Sequence, residues 1–276
     1  MAERQATGGD TLIPSSTILL LRDGAEGIEV FMVVRHHQID FASGALVFPG
    51  GKVDKADYAQ QVRARVDGAE AFDDTLLALR VAAIREAFEE AGVLLARNAQ
   101  TGDVVDAARL ATLEPYRDAL NKGELGIAEF LEQENLRVAV DMLTPFAHWI
   151  TPNMMPKRFD THFYLAEAPA DHLAVHDGSE SVDSVWIRPQ IALEEAQAGK
   201  RTIIFPTRMN VEKVGRSANV AHAIEEARNR PIVTVEPQVT KNDAGEAILR
   251  IPAEAGYSVT DEPLDAVANV AKPKAK

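Results

Sequence analysis

Three glutamates fall within five positions of this chain: Glu86, Glu89 and Glu90, in the stretch RVAAIREAFEEAGVLLA at 80–96. At 100° per residue, Glu89 lies about 60° to one side of Glu86 and Glu90 about 40° to the other. The three therefore share one stripe of a helix, with no lysine between them. Like charges at this spacing repel by about a few tenths of a kcal/mol per pair. One reading is a solvated acidic face. The other is a divalent-cation site, because clustered carboxylate oxygens suit Mg²⁺ or Mn²⁺ and the ion removes the repulsion. Leu79, Ala82, Ala83 and Val93 fall beside the stripe, which suggests a sheltered cleft. Leu77, Val81, Ile84, Phe88, Ala91 and Leu95 form the opposite, core-directed face.

A helix from Asp73 or Asp74 to about Arg97 must carry these carboxylates, with either aspartate as N-cap. Before it, STILLLRD and IEVFMVVRH read as strands joined by the turn DGAEG, and ALVFPGGKVD as a short strand broken by Pro49, Gly50 and Gly51. Residues 55–72 are polar and mixed. Helices are expected near 104–121 and 124–134. FAHWITP, RFDTHFYLAEA and SVDSVWIRP read as strands, QIALEEAQAG as a helix stopped by Gly199, and RTIIFPT as a strand. A further helix is expected over roughly 208–228, and PIVTVEP is expected to pair with AILRIP through KNDAGE. The order implies an α/β (α+β) fold, a mixed sheet with helices on both faces. The expected organisation is a loose arm at 1–13, one domain at 14–230, a C-terminal hairpin within 231–262 and a disordered tail at 263–276.

Arg85-Glu86-x-x-Glu89-Glu90-x-Gly92-Val93 matches the core of the Nudix box, G-x5-E-x7-R-E-U-x-E-E-x-G-U, where U is bulky and aliphatic. Five fixed residues recur by chance in a chain this long with odds on the order of one in several thousand. FPGG at 48–51 also resembles what precedes the box in that family. The sequence departs from the pattern in three ways. Gly51 and Arg85 stand 34 positions apart instead of 14, so some 20 residues are inserted. Ala87 replaces the bulky aliphatic. The upstream glutamate has no clear counterpart: counting back from Arg85 gives Leu77, and near Gly51 the acids are Asp54 and Asp57. The interruption resembles the acyl-coenzyme A diphosphatase branch, as do GALVFPGG (44–51), the upstream Arg35 and the stretch WITP…RFDTHFYLAE.

The resemblance implies a Nudix-type α/β/α sandwich that hydrolyses a diphosphate linkage with Mg²⁺ or Mn²⁺ held by Glu86, Glu89 and Glu90. Arg85 would orient one of these carboxylates. Gly50 and Gly51 would let the backbone approach the metal and the diphosphate without side-chain obstruction, and Gly92 would let the helix pack closely or bend. Arg35 is the candidate phosphate contact. The general base is a box glutamate or a later acid such as Glu180. His148, His162 and His176 are further phosphate candidates, although histidines of this kind more often serve structure. Trp149 and Trp186 are candidate adenine-stacking rings, with core packing the default for both, and Phe159 and Phe163 read as core. Coenzyme A or its acyl esters are the implied substrates. ADP-ribose, NADH, nucleoside triphosphates and a non-catalytic Nudix-fold binding module remain the alternatives.

The whole composition fits this reading. With 46% apolar and 26% charged residues the chain is an ordinary globular protein. Its net charge of −13 argues against nucleic acid or an anionic membrane as main partner. A phosphorylated small molecule stays compatible, because a bound cation reverses the local field. The absence of cysteine excludes thiolate metal sites and cysteine nucleophiles. A cytoplasmic location is expected, with no secretory signal or membrane span evident and a homodimer left open.

Overall fold

The computed structural model of the protein describes residues 11–35, 44–172, 174 and 181–264. In chain order the strands and helices are β1 (Leu12–Gly24), β2 (Gly27–Arg35), β3 (Leu46–Val47), β4 (Gly50–Lys52), α1 (Gln60–Arg63) and α2 (Asp74–Ala91). There follow β5 (Ala96–Asn98), α3 (Ala107–Leu113), α4 (Tyr116–Asn121), α5 (Ile127–Gln133), β6 (Leu136–Val138), β7 (Thr144–Ile150) and β8 (Arg158–Glu167). The C-terminal part holds β9 (Ser181–Ile187), α6 (Pro189–Gln197), α7 (Phe205–Val214), α8 (Val220–Arg228), β10 (Thr234–Val235), β11 (Gln238–Lys241), β12 (Ala247–Arg250) and β13 (Asp261–Pro263).

Eight strands form one mixed sheet, in the order β10-β7-β8-β1-β2-β3, with β4 added on β1 and β9 on β2. The β1–β8 and β7–β10 pairs are parallel and the others antiparallel. Central β1 explains why ILLL at 18–21 is uninterrupted by polar residues. Ile18 and Leu20 enter the core shared with α2, while Leu19 and Leu21 enter the core shared with α6, α7 and α8. A strand covered on both faces loses the apolar–polar alternation of a half-buried one. Each such side chain contributes about 1.5–3 kcal/mol on full burial. This mixed sheet with helices on both faces is the expected fold class. Among the described residues, no helix is long and apolar enough to cross a membrane.

Several local expectations are corrected. The glutamate helix stops at Ala91, not near Arg97, because Gly92 turns left-handed with φ +66°; residues 96–98 then pair with β6. Gly92 therefore ends the helix and does not bend it. RTIIFPT is not a strand: Thr202 makes one bridge to Ala45, and Pro206 lies in the first turn of α7. A fixed φ and a missing N–H suit a helix start. The helix expected over 208–228 is two, separated at 215–219, with Asn219 capping α8 through its bond from the His222 N–H at 2.8 Å. PIVTVEP does not form the hairpin. Its β10 segment joins β7 in the main sheet, and β11 takes its place against β12. Residues 55–72, polar and mixed in sequence, are not wholly exposed: Val62 and Val66 are buried in the α2 core. The arm expected at 1–13 and the tail at 263–276 lie mostly outside the described residues.

Candidate functional site

Helix α2 is held at both ends. The Asp73 carboxylate accepts from the Leu76 N–H at 2.8 Å, the N-cap arrangement that satisfies an otherwise orphaned donor. At the other end Arg117 donates from Nη2 to the Glu89 carbonyl at 3.1 Å, a cation at the helix C-terminus, where the dipole favours it. Fixed this way, and packed on β1 and β4, α2 delivers its carboxylates to the glycine strand.

The carboxylates do not form a solvated face. Glu89 is 6% and Glu90 8% exposed. The Gly50 N–H donates to Glu90 Oε2 at 2.9 Å. A Cβ added to Gly51 would lie 2.7 Å from Cδ of Glu86, so any side chain there collides with the cluster. The two glycines reach it because β4 pairs with the start of β1, Gly50 opposite Thr17 and Gly51 opposite Ser16. Thirty-four positions of sequence thus close into one site. Gly50 also has φ +157° and sits against the Ser16 carbonyl, leaving no room for a Cβ.

Arg85 ties the cluster together. Its Nη1 donates to Glu86 Oε1 and to Glu89 Oε2, both at 2.9 Å. Its Nε and Nη2 donate to the two oxygens of Asp57 at 3.0 and 3.1 Å, and Nη2 also reaches the Lys52 carbonyl at 3.1 Å. Burial pushes the Glu89 carboxyl up to about 7, against the pull of Arg85 and with the Glu86 and Asp57 charges adding to it. Burial alone would lower the Arg85 pKa, but Glu86, Asp57 and Glu89 hold it above its ordinary value. The cluster has more negative charge than one guanidinium neutralises, which is an arrangement a divalent cation would relieve.

Asp57 is the residue that sequence reasoning left undecided. Its side chain is fully buried against Arg85. It is the sixth residue after Gly51, which is the spacing of the upstream acid in the box pattern. The signal was present in the register counted from glycine. It follows that the inserted residues fall after Asp57, between it and Arg85, and not directly after Gly51. Asp54 instead caps the short turn at Lys55–Tyr58, accepting from the Ala56 N–H at 2.8 Å while its own N–H donates to Asp57. Replacing Asp57 by Asn should cost about 3 kcal/mol of stability, because it leaves a buried guanidinium partly unpaired. It should lower kcat ~10–100-fold by loosening the carboxylates that Arg85 orients. Chemical denaturation and steady-state kinetics check both parts; a variant with native stability and rate would separate Asp57 from the site.

A cleft of about 1180 Å³ opens on this cluster. Arg35, Gly50, Gly51, Arg85, Glu86, Glu89 and Glu90 line it, whereas the candidates His148, His162 and Trp186 do not. Lys52, Lys122 and Lys157 add positive charge to its walls and Phe159 adds apolar surface, whereas Trp149 and Phe163, which also border it, are buried in the core shared with α6, α7 and α8, as core packing implied. Trp149 also donates to the Tyr257 hydroxyl at 2.8 Å, which fixes its ring. Trp186 packs edge-on to Phe31 under the Arg22 guanidinium. His148 and His162 stack on each other and are not among the cleft residues. Glu180 and His176 lie outside the described residues.

Comparison with known proteins agrees with the architecture. The family profile described as the NUDT19 Nudix domain matches residues 63–214. The chain is 32% identical over 180 residues to a Caenorhabditis elegans protein named nudix hydrolase 7, covering 64% of this chain and 52% of that protein. It is 24% identical over 212 residues to the acyl-coenzyme A diphosphatase NUDT19 of Xenopus laevis, covering 62% and 56% respectively. The chain thus spans about half the length of these curated relatives. Among solved structures, a NUDIX hydrolase from Alicyclobacillus acidocaldarius superimposes with a TM-score of 0.65 at 28% identity, over 78% of this chain and 96% of that one.

Proposed function

Since the chain belongs to the NUDT19 branch of the Nudix hydrolases, we propose that it cleaves the diphosphate of coenzyme A or acyl-coenzyme A. The products are 3′,5′-ADP and a 4′-phosphopantetheine species. The observation that carries this reading is the buried carboxylate cluster, seated against bare glycine backbone at the base of a large cleft whose walls hold Arg35 and three lysines.

Glu86, Glu89 and Glu90 are the residues that would hold Mg²⁺ or Mn²⁺. Their donors are all carboxylate oxygens, which fit hard cations, and the Cβ-free approach of Gly51 leaves space at Glu86. A bound divalent ion supplies water activation and charge neutralisation at phosphate oxygens. The chain's own residues do the rest. Arg85 sets the orientation of Glu86 and Glu89, and Asp57 sets that of Arg85. Gly50 anchors Glu90 through its N–H. Arg35, Lys52, Lys122 and Lys157 give the cleft positive points for an extended polyanion. Phe159 gives apolar surface for an adenine or a pantetheine arm. The proton of the attacking water passes to a box glutamate or to Glu180.

A substrate panel tests the reading. With Mg²⁺ or Mn²⁺ present, kcat/KM should be highest for coenzyme A species among coenzyme A, ADP-ribose, NADH and nucleoside triphosphates. Rapid turnover of ADP-ribose with none of coenzyme A would move the substrate elsewhere in the family. Turnover of none would support a binding module.

A further inference from the structure

The two strands that form one wall of the cleft carry a second constellation on their other face. Side chains alternate along a strand. Trp149 and Thr161 line the cleft, so His148, Asp160 and His162 point the opposite way. The β7–β8 register places His148 directly across from His162. Their rings stack with centroids 4.1 Å apart and planes inclined by 27°. His148 Nε2 is hydrogen-bonded to Asp160 Oδ1, and His162 Nε2 lies 3.8 Å from the same oxygen. One ligand atom from each of the three comes within 4.8 Å of the others. Among the described residues this is the one set of three or more such groups that converges so closely.

We propose that His148, Asp160 and His162 form a separate site for a borderline transition-metal ion, with Zn²⁺ as its natural probe. Two imidazoles and a carboxylate are the donor set of open zinc sites. In a tetrahedron with such bond lengths, ligand atoms sit roughly 3.3 Å apart. The shorter and the longer contacts to Asp160 bracket that spacing, so small side-chain rotations complete the set. The three side chains are partly exposed, which leaves a coordination position open toward solvent.

A fourth residue prepares one ligand. His148 Nδ1 is hydrogen-bonded to Thr234 Oγ1 on β10 at 2.8 Å. Without metal, Nε2–H donates to the Asp160 carboxylate; an ion displacing that hydrogen would take the Nε2 lone pair while Nδ1–H donates to the Thr234 hydroxyl, which is how ligating histidines are usually oriented. Burial and the neighbouring His148 hold His162 down to about 4, and Arg80 on α2 adds to that effect while Asp160 opposes it. Arg80 is the cation facing the cluster; it is engaged over the rings of Phe72 and Tyr164 and with the Leu76 carbonyl. The proposal is independent of the reaction at the glutamates.

The test uses metal-stripped protein carrying Glu89→Gln and Glu90→Gln, so that the cleft does not compete. Zn²⁺ is titrated against a chromophoric chelator, and Co²⁺ is added to read ligand-field absorption. One equivalent should bind and stay bound under excess Mg²⁺. His148→Ala, His162→Ala or Asp160→Asn should each weaken binding at least ~100-fold. Thr234→Val, which removes only the orienting bond, should weaken it roughly 10-fold. Circular dichroism of each variant without metal reports whether the fold persists, and Asp160→Asn preserves shape if a histidine variant unfolds. No binding, or binding that survives the loss of any of the three side chains, would reduce the cluster to a hydrogen-bonded histidine pair.

Discussion

Glu89→Gln or Glu90→Gln lowers kcat at least ~100-fold and leaves the fold intact. Each substitution keeps the shape of the side chain and removes one charge from a cluster that depends on charge. Loss of a group that holds a charge-stabilising ion, or that itself stabilises developing charge, typically costs ~100–1,000-fold. Folding survives for specific reasons. In the Glu89 variant, Arg85 keeps Glu86 and both oxygens of Asp57. In the Glu90 variant, the amide oxygen still accepts from the Gly50 N–H, the bond now made at 2.9 Å. Neither side chain belongs to the apolar core around Ile84 and Phe88. Thermal unfolding and steady-state kinetics measured together check the pair of claims. Unchanged turnover in either variant contradicts the site.

Removing divalent cations should abolish activity entirely, and Mg²⁺ or Mn²⁺ should restore it. The single Arg85 guanidinium pairs with Asp57, Glu86 and Glu89, and Glu90 adds a further carboxylate held by the Gly50 N–H, so the approach of a diphosphate calls for added positive charge. At about 4 Å, even with an effective dielectric constant of 20, each unit like-charge contact costs about 4 kcal/mol. Zn²⁺ should restore activity poorly, because no histidine lies among the glutamates, even if it binds at His148 and His162. The measurement is turnover after chelation, followed by readdition of each ion. Full activity in chelator would mean that the acidic cluster serves only structure.

The legibility of the sequence varied with the range of the forces involved. The glutamate stripe and its helix could be read directly, with the N-cap narrowed to Asp73 or Asp74, because helix periodicity and N-cap chemistry are local. The mixed sheet was legible in outline, since β1 and β2 are apolar and joined by a short turn. What could not be read depended on distant partners. Nothing local separates QVTK from TV as the partner of AILR, because β-pairing is decided by the rest of the sheet. The burial of Glu89 and Glu90 was hinted at by Leu79, Ala82 and Val93, but the Gly50 N–H that meets Glu90 comes from a strand 40 residues away. Asp57 was left undecided between two registers because the insertion hides its distance to Arg85, although its distance from Gly51 was unchanged. His148 and His162 are 14 positions apart, and only the β7–β8 register turns them into neighbours.

The most direct test of the account is the mass of the products formed from an acyl-coenzyme A with Mg²⁺ present. Gly50, Gly51 and the carboxylates lie together at the base of the cleft, and the chain has no cysteine to attack a thioester. Water attacking a phosphorus expels a phosphate, a good leaving group, and the thioester at the far end of the pantetheine arm stays intact. The account predicts 3′,5′-ADP and an acyl-4′-phosphopantetheine. A free fatty acid with intact coenzyme A would make the protein a thioesterase and contradict it.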